Sequence, residues 1–210
     1  MLTLYISPMS RATRVHLLVE ELGIRGQMQI EVVQIEVVQI ARADGPGQRD
    51  PRNPHPEGKV PLLVDNGVMI RESIAIIQYL ADKFPAAGLS VPIGHPLRGP
   101  YLAWLAWYAG VLEPLVHFHM LGIKDPGLEA TFRTLDVANQ RVIEALEAGP
   151  WLVGDHYTAA DLLLASLYNW QSALLPDNDA VRNWLSRCNA RPAVQAIMAS
   201  EMAMMQALAS

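Results

Sequence analysis

Glu57-Gly-Lys-Val-Pro-Leu-Leu-Val-Asp-Asn-Gly-Val-Met-Ile-Arg-Glu-Ser73 is the stretch on which the reading of the fold turns. Val60 to Val64 is an apolar, β-branched run, which predicts a strand. Asn66-Gly67 follows, the dipeptide that best tolerates the positive φ angles of a two-residue hairpin turn, and Val68 to Ile70 is the return strand. Glu72-Ser73 then opens a helical pattern that runs through Leu80 to Phe84, with Ser73 as the expected N-cap. Two features exceed the needs of a hairpin leading into a helix. Pro61 stands at a strand start, where it donates no ladder bond, and the Val60-Pro61 bond is a candidate for the cis form. An acidic residue and a hydroxyl sit where a helix N-terminus exposes unpaired N–H groups.

Upstream, Leu2 to Ile6 predicts a strand, broken by Ser7-Pro8-Met9-Ser10. From Arg11 to Leu22, Val15, Leu18, Val19 and Leu22 recur at helical spacing, and Gly23 stops the helix. A direct repeat follows, Gln29-Ile-Glu-Val-Val33 and then Gln34-Ile-Glu-Val-Val38. A five-residue duplication turns side chains to the opposite strand face, so one copy is expected to pair. Ile35 to Ile40 is taken as that strand, though the pattern does not decide between the copies. Ala41 to Gly58, rich in Gly, Pro, Asp and Arg, reads as a long loop of the kind that carries function.

Downstream the chain is all helix. Tyr101 to Leu121 is aromatic and helical, bent at Gly110 and Pro114, and Leu128 to Leu146 is amphipathic up to Gly149-Pro150. Thr158-Ala-Ala-Asp161 reads as a capping box with Asp in place of Glu or Gln, ahead of Leu162 to Leu167; Val181 to Leu185 and Pro192 to Leu208 complete the helices. The expected organisation is an α/β domain over 1–84 of order β-α-β-loop-β-β-α, a Pro- and Gly-rich linker over 85–95, and an all-α domain over 96–210.

Composition narrows the function. A net charge of −5 with no basic run argues against nucleic acid and anionic membranes as partners. No apolar run reaches the roughly 18 residues of a membrane span. The single cysteine, Cys188, excludes an internal disulfide and a cysteine-based zinc site, and it lies in a helical context that predicts an inert buried thiol. This usage fits a reducing compartment, the cytoplasm. His117 and His119 are two apart and share no helix face, so no metal is expected.

Ser7-Pro8-Met9-Ser10 lies at a strand end before a helix, as a Cys-Pro-x-Cys redox motif would, with serine at both cysteine positions. Serine has no thiol-disulfide chemistry. Hydroxyls at the positive end of a helix suit a different task, stabilising a thiolate supplied by another molecule; a free thiol has a pKa near ~8.5, and such surroundings lower it.

With these residues in place the chain resembles the cytosolic glutathione S-transferases, in their bacterial, serine-type form, over essentially its full length. The resemblance rests on Ser7 to Val15 with Glu20-Glu21-Leu22-Gly23, on Asn53-Pro-His-Pro-Glu-Gly-Lys-Val-Pro61, on Glu72-Ser73-Ile-Ala-Ile-Ile-Gln-Tyr-Leu80 and on Gly154-Asp-His-Tyr-Thr-Ala-Ala-Asp161. It implies a thioredoxin-like N-terminal domain, an all-α C-terminal domain, glutathione as co-substrate and a homodimer. Pro61 matches the family's cis-proline, which implies that the Val60 backbone meets the cysteinyl part of glutathione. Glu72 and Ser73 match the pair that holds the γ-glutamyl end, its ammonium on Glu72 and its carboxylate on Ser73 and the helix N-terminus. Lys59 is placed to meet a glutathione carboxylate, with a solvated loop lysine as the equal alternative.

For the activating hydroxyl, Ser10 lies four residues before Arg14, the spacing of the catalytic serine and a similar arginine in theta-like and delta-like members. Ser7, at the position of the omega-like nucleophile, is the second candidate. Tyr5 is expected to pack, and Arg11 either adds positive charge or faces water. Trp104 and Tyr108 share a helix face and are candidates to line an apolar pocket for the second substrate, against the commoner fate of such pairs as core. The expected function is a glutathione transferase that conjugates the thiolate to a hydrophobic electrophile, or reduces peroxides, in detoxification. The alternative is a non-catalytic glutathione- or ligand-binding protein on the same fold.

Overall fold

The computed structural model describes residues 1–32 and 50–209 of the chain. It divides into two compact units, Met1–Ala87 together with Pro192–Ser210, and Gly88–Arg191.

The first unit is built on a four-stranded sheet of order β2-β1-β3-β4, with β1 Leu2–Ile6, β2 Met28–Val32, β3 Leu62–Asp65 and β4 Val68–Ile70. β1 pairs with β2 in parallel, Leu2 against Met28 through Ile6 against Val32. The intervening helix α1, Thr13–Glu21, supplies the crossover that a parallel pair requires. The first copy of the duplicated segment therefore fills most of β2; the expected strand at Ile35 to Ile40 lies outside the described residues. β1 pairs antiparallel with β3, Tyr5 against Leu62, and β3 with β4, Leu63 against Ile70. Asn66 and Gly67 take φ of 50° and 85°, the two left-handed residues of a tight hairpin turn whose twist matches the strands. β3 begins at Leu62 rather than Val60, since Pro61 brings no ladder donor; the Val60-Pro61 bond is cis.

Helix α2, Ser73–Lys83, returns over β3 and packs on α1, burying Ile76, Ile77 and Leu80 against the side that carries Val15, Leu18 and Val19. Burial of side chains of this size contributes about 1.5–3 kcal/mol each. The N-cap of α2 is Glu72, with φ 68° and ψ 121°, and not Ser73, which is the first helical residue. The last helix, α9 Pro192–Ala209, packs against α1 and belongs to this first unit, whereas the sequence pattern grouped it with the helices of 96–210.

The second unit contains α3 Arg98–Trp107, α4 Glu113–Met120, α5 Pro126–Phe132, α6 Leu135–Ala148, α7 Ala159–Trp170 and α8 Asp179–Asn189. The expected bend between α3 and α4 is a π-turn over Tyr108–Leu112, in which the Glu113 N–H reaches back to the Tyr108 carbonyl. Pro114 has no N–H for the Gly110 carbonyl, which interrupts the α-ladder there. The amphipathic pattern of 128–146 is not one helix. Asp125 caps α5 through the Gly127 and Leu128 amides, Arg133 turns to φ 67°, and Thr134 caps α6. The Thr158–Asp161 capping box is present and extends further: Asp161 Oδ2 accepts from the Thr158 amide, while Oδ1 accepts from the Leu152 amide at 3.0 Å and the Trp184 indole at 2.9 Å. Cys188 is buried in α8. Among the described residues no helix is long and apolar enough to cross a membrane.

Candidate active site

The sheet brings the separated motifs to one end. At this end the β1–β3 ladder stops at Tyr5 and Leu62, and the β3–β4 ladder stops at Leu63 and Ile70. The serine loop that leaves β1, the cis-proline that enters β3 and the start of α2 are therefore neighbours at one edge of three adjacent strands, although the sequence spreads them over 7–73.

The serine loop is tightly bonded. Ser10 Oγ donates to the Ser7 carbonyl at 2.6 Å and accepts from the Ala12 amide at 3.1 Å, a hydroxyl turn that leads into α1. The helix itself begins at Thr13 with Ala12 as N-cap, two residues later than the apolar spacing predicts, so Ser10 shapes the approach to the helix and is not its cap. Ser7 and Ser10 are both half-buried, and Met9 between them is exposed and has φ 53°. Tyr5 is half-buried in β1, Arg14 is buried and Arg11 exposed.

The loop before the cis-proline is held by its own polar groups. Asn53 is buried; its side-chain oxygen accepts the His55 amide at 3.0 Å and its nitrogen donates to the Lys59 carbonyl at 3.2 Å. The His55 carbonyl accepts the Gly58 amide, and its Nδ1 accepts the Glu57 amide at 3.0 Å. Burial pushes the His55 imidazole below its ordinary range, in keeping with an acceptor Nδ1. This bonding fixes the peptide that precedes Val60. Among the described residues neither the N–H nor the C=O of Val60 has a backbone partner, which leaves an open rung for an extended ligand.

Charge gathers at the same edge. Lys59 is exposed and pairs with Glu57 at 2.6 Å; Arg71 reaches the same carboxylate at 3.4 Å. The hydrogen-bonded Lys59 ammonium holds the Glu57 carboxyl below the usual carboxylate range. Glu72 is exposed and its side chain makes no capping bond, while its carbonyl accepts the Ile76 amide. The amides of Ser73, Ile74 and Ala75 lie in the first turn, where no intrahelical acceptor exists. A non-glycine residue at φ 68° costs of order 1–3 kcal/mol, and such strain gathers at functional sites.

Trp104 and Tyr108 belong to the second unit and are 9% and 2% exposed. Trp104 meets Trp107 edge to face, and the Arg141 guanidinium lies 4.7 Å from its ring. Among the described residues no group of three or more His, Cys, Asp or Glu is arranged to hold a metal ion.

One further group is marked by no sequence motif. Glu201 of α9 is fully buried in the first unit. Its Oε2 accepts the Met9 amide at 2.7 Å and the Thr13 hydroxyl at 2.6 Å; its Oε1 faces His16 Nδ1 at 3.1 Å, and His16 Nε2 faces Arg25 Nη1 at 2.6 Å. The signal available was that Glu201 is the lone charge in an eighteen-residue helix.

The chain is similar to known proteins. The family model for the glutathione S-transferase N-terminal domain matches residues 4–88, and that for the C-terminal domain matches residues 111–192. Glutathione S-transferase GstA of Escherichia coli O157:H7 is 32% identical over 155 residues, which cover 70% of this chain and 76% of that protein. Disulfide-bond oxidoreductase YfcG of Escherichia coli strain K12 is 27% identical, over 96% of this chain and 97% of its own. Among solved structures, a glutathione transferase from Methylococcus capsulatus strain Bath superposes with a TM-score of 0.74 at 30% identity, covering 96% of this chain and 98% of that one. The bacterial glutathione S-transferase BphK, solved as a ternary complex, gives 0.74 at 27% identity, covering 95% and 98%.

Proposed function

Since the chain belongs to the glutathione S-transferase family, we propose that it binds glutathione at the Val60–Glu72 edge and conjugates its thiolate to a hydrophobic electrophile. The observation that carries this reading is that the serine loop after β1, the cis-proline before β3 and the residues after β4 all leave paired strands at one end of the sheet. The Val60 backbone would pair with the cysteinyl residue as a short ladder. The Glu72 carboxylate would accept from the γ-glutamyl ammonium, and the Ser73 hydroxyl with the first-turn amides of α2 would take its carboxylate. Lys59, exposed beside this edge, would meet the glycyl carboxylate by exchanging Glu57 for it.

Ser10 is the hydroxyl assigned to the thiolate. It would give up its bond to the Ser7 carbonyl and donate to the sulfur, lowering the thiol pKa and orienting the nucleophile. Ser7 is the second candidate. The thiolate then attacks an electrophilic carbon and the leaving group departs with the electron pair; with a peroxide it takes one oxygen as a sulfenic acid while the O–O bond breaks and the alcohol leaves, and a second glutathione thiol converts the sulfenic acid to oxidised glutathione and water. Of the two aromatic candidates for the apolar co-substrate, Trp104 has the more accessible side chain. A cytoplasmic homodimer with a role in detoxification completes the reading.

Retention on immobilised glutathione together with turnover of a general aryl halide electrophile is the expected result. Retention without turnover would instead support a binding protein, and absence of retention would overturn the assignment of the edge.

A second reading has its own support, the similarity to a disulfide-bond oxidoreductase along nearly the whole chain. With serine at positions 7 and 10, every sulfur would have to come from glutathione. Bound thiolate would attack a disulfide to give a mixed disulfide and a thiolate that takes up a proton. A second glutathione thiolate would then release the other half and leave oxidised glutathione. Reduction of a small disulfide by glutathione, faster with the protein than without it, tests this reading.

A further inference from the structure

We propose that Glu201 is a positioning residue for the Ser7–Ser10 loop, with its charge balanced by Arg25 through His16. The proposal rests on the reading of Ser10 as the hydroxyl that stabilises bound thiolate.

A buried carboxylate is a costly means of docking a helix, since its desolvation must be offset by its partners. The apolar face of α9, with Ile197 one turn before Glu201 and buried, already provides docking. What the carboxylate adds is a fixed acceptor behind the loop. Its Oε2 takes the amide of Met9, the residue between the two serines, and holds that residue at its left-handed φ of 53°. The same oxygen takes the hydroxyl of Thr13, the first residue of α1. Loop and helix start are thus tied to one atom, and the direction of the Ser10 hydroxyl follows, because Ser10 lies between those two ties.

Charge is the second part of the argument. A bare negative charge behind the loop would oppose a thiolate in front of it. The Arg25 guanidinium only donates, so His16 Nε2 accepts and Nδ1 carries the proton toward Glu201. The arrangement places a fixed positive charge in line with the carboxylate, with a neutral imidazole between them. Arg14, buried on the same helix as His16, adds a further cation to this unit.

The test compares Glu201→Ala, Glu201→Gln and Ile197→Ala with the wild type, measuring kcat, KM for glutathione and the pH dependence of bound-thiolate ultraviolet absorbance. Glu201→Ala is expected to lower kcat about tenfold or more with KM for glutathione changed less than about threefold, and to raise the pKa of the bound thiol. Glu201→Gln keeps an acceptor for Met9 and should recover most of kcat. Ile197→Ala should lower the melting temperature and leave the pH curve in place. A pH curve for Glu201→Ala that coincides with the wild type, or a loss shared equally with Ile197→Ala, overturns the proposal. A wild type that binds glutathione without lowering its pKa overturns the Ser10 reading itself, and the proposal falls with it.

Discussion

The Ser10 hydroxyl donates to the Ser7 carbonyl at 2.6 Å, so the proton assigned to the thiolate has a neutral acceptor within the loop. In the proposed reaction the hydroxyl would exchange that neutral acceptor for an anionic sulfur, and a bond to a charged group is the stronger of the two. The bond to Ser7 keeps the hydroxyl satisfied.

Replacement of Ser10 by Ala removes this donor. A hydrogen bond to a charged partner contributes about 1.5–3 kcal/mol, so turnover should fall about ten- to hundredfold, with glutathione affinity nearly unchanged and the pKa of the bound thiol raised. Steady-state kinetics across pH measure all three. Unchanged turnover would move the role to Ser7 or Tyr5.

Glu72 combines strain with an exposed carboxylate. Glu72→Gly relieves the left-handed φ and should raise stability by up to about 1 kcal/mol, while glutathione affinity falls about ten- to hundredfold through loss of the ammonium partner. Calorimetric titration and urea unfolding on the same variant give the two numbers. A variant that binds glutathione as well as the wild type would remove Glu72 from the site.

Asp65 ties β3 to α2 by accepting from the Tyr79 hydroxyl and from Lys83 at 2.7 Å. The Lys83 ammonium first, and then Tyr79, hold its carboxyl below the usual range. A depressed carboxyl pKa contributes stability that is fully present above the unfolded value, about 3.8–3.9, and is lost as pH falls through the folded value. The urea midpoint should therefore decline as pH falls below about 4, and Asp65→Asn should be less stable at neutral pH with a shallower decline. An identical acid slope in wild type and variant would contradict this.

Asp161 accepts the Trp184 indole and three donors from the Leu152–Thr158 turn, all inside the second unit. Asp161→Ala strands those buried donors and should cost about 3 kcal/mol or more. Asp161→Asn, which keeps one acceptor oxygen, should cost about half as much. Chemical denaturation ranks the pair; the opposite order would mean that the cavity, not the bonds, dominates.

The sequence revealed most where local chemistry decides the outcome. Asn66-Gly67 marked the hairpin because few residues tolerate two successive left-handed conformations, and Pro61 marked the entry to β3 because proline has no ladder donor. The Thr158–Asp161 box carried its own cap. Where a choice depended on distant packing, the pattern was blind. The first repeat copy pairs with β1, while the second, identical over five residues, lies outside the described residues. Arg133 breaks an amphipathic run that looks continuous, because the caps at Asp125 and Thr134 outweigh periodicity. Ser73 resembled an N-cap, yet the strained Glu72 takes that position. Nothing near Glu201 tells of partners at Met9, Thr13 and His16.

Glu201 follows Met9 by 192 residues. On a ribosome adding roughly 5–20 residues per second, on the order of tens of seconds separate the emergence of that amide from the emergence of its acceptor. All of Gly88–Arg191, the whole second unit, is synthesised in the interval. The first unit is completed only after the second has been made, and the serine loop receives its Glu201 anchor only then.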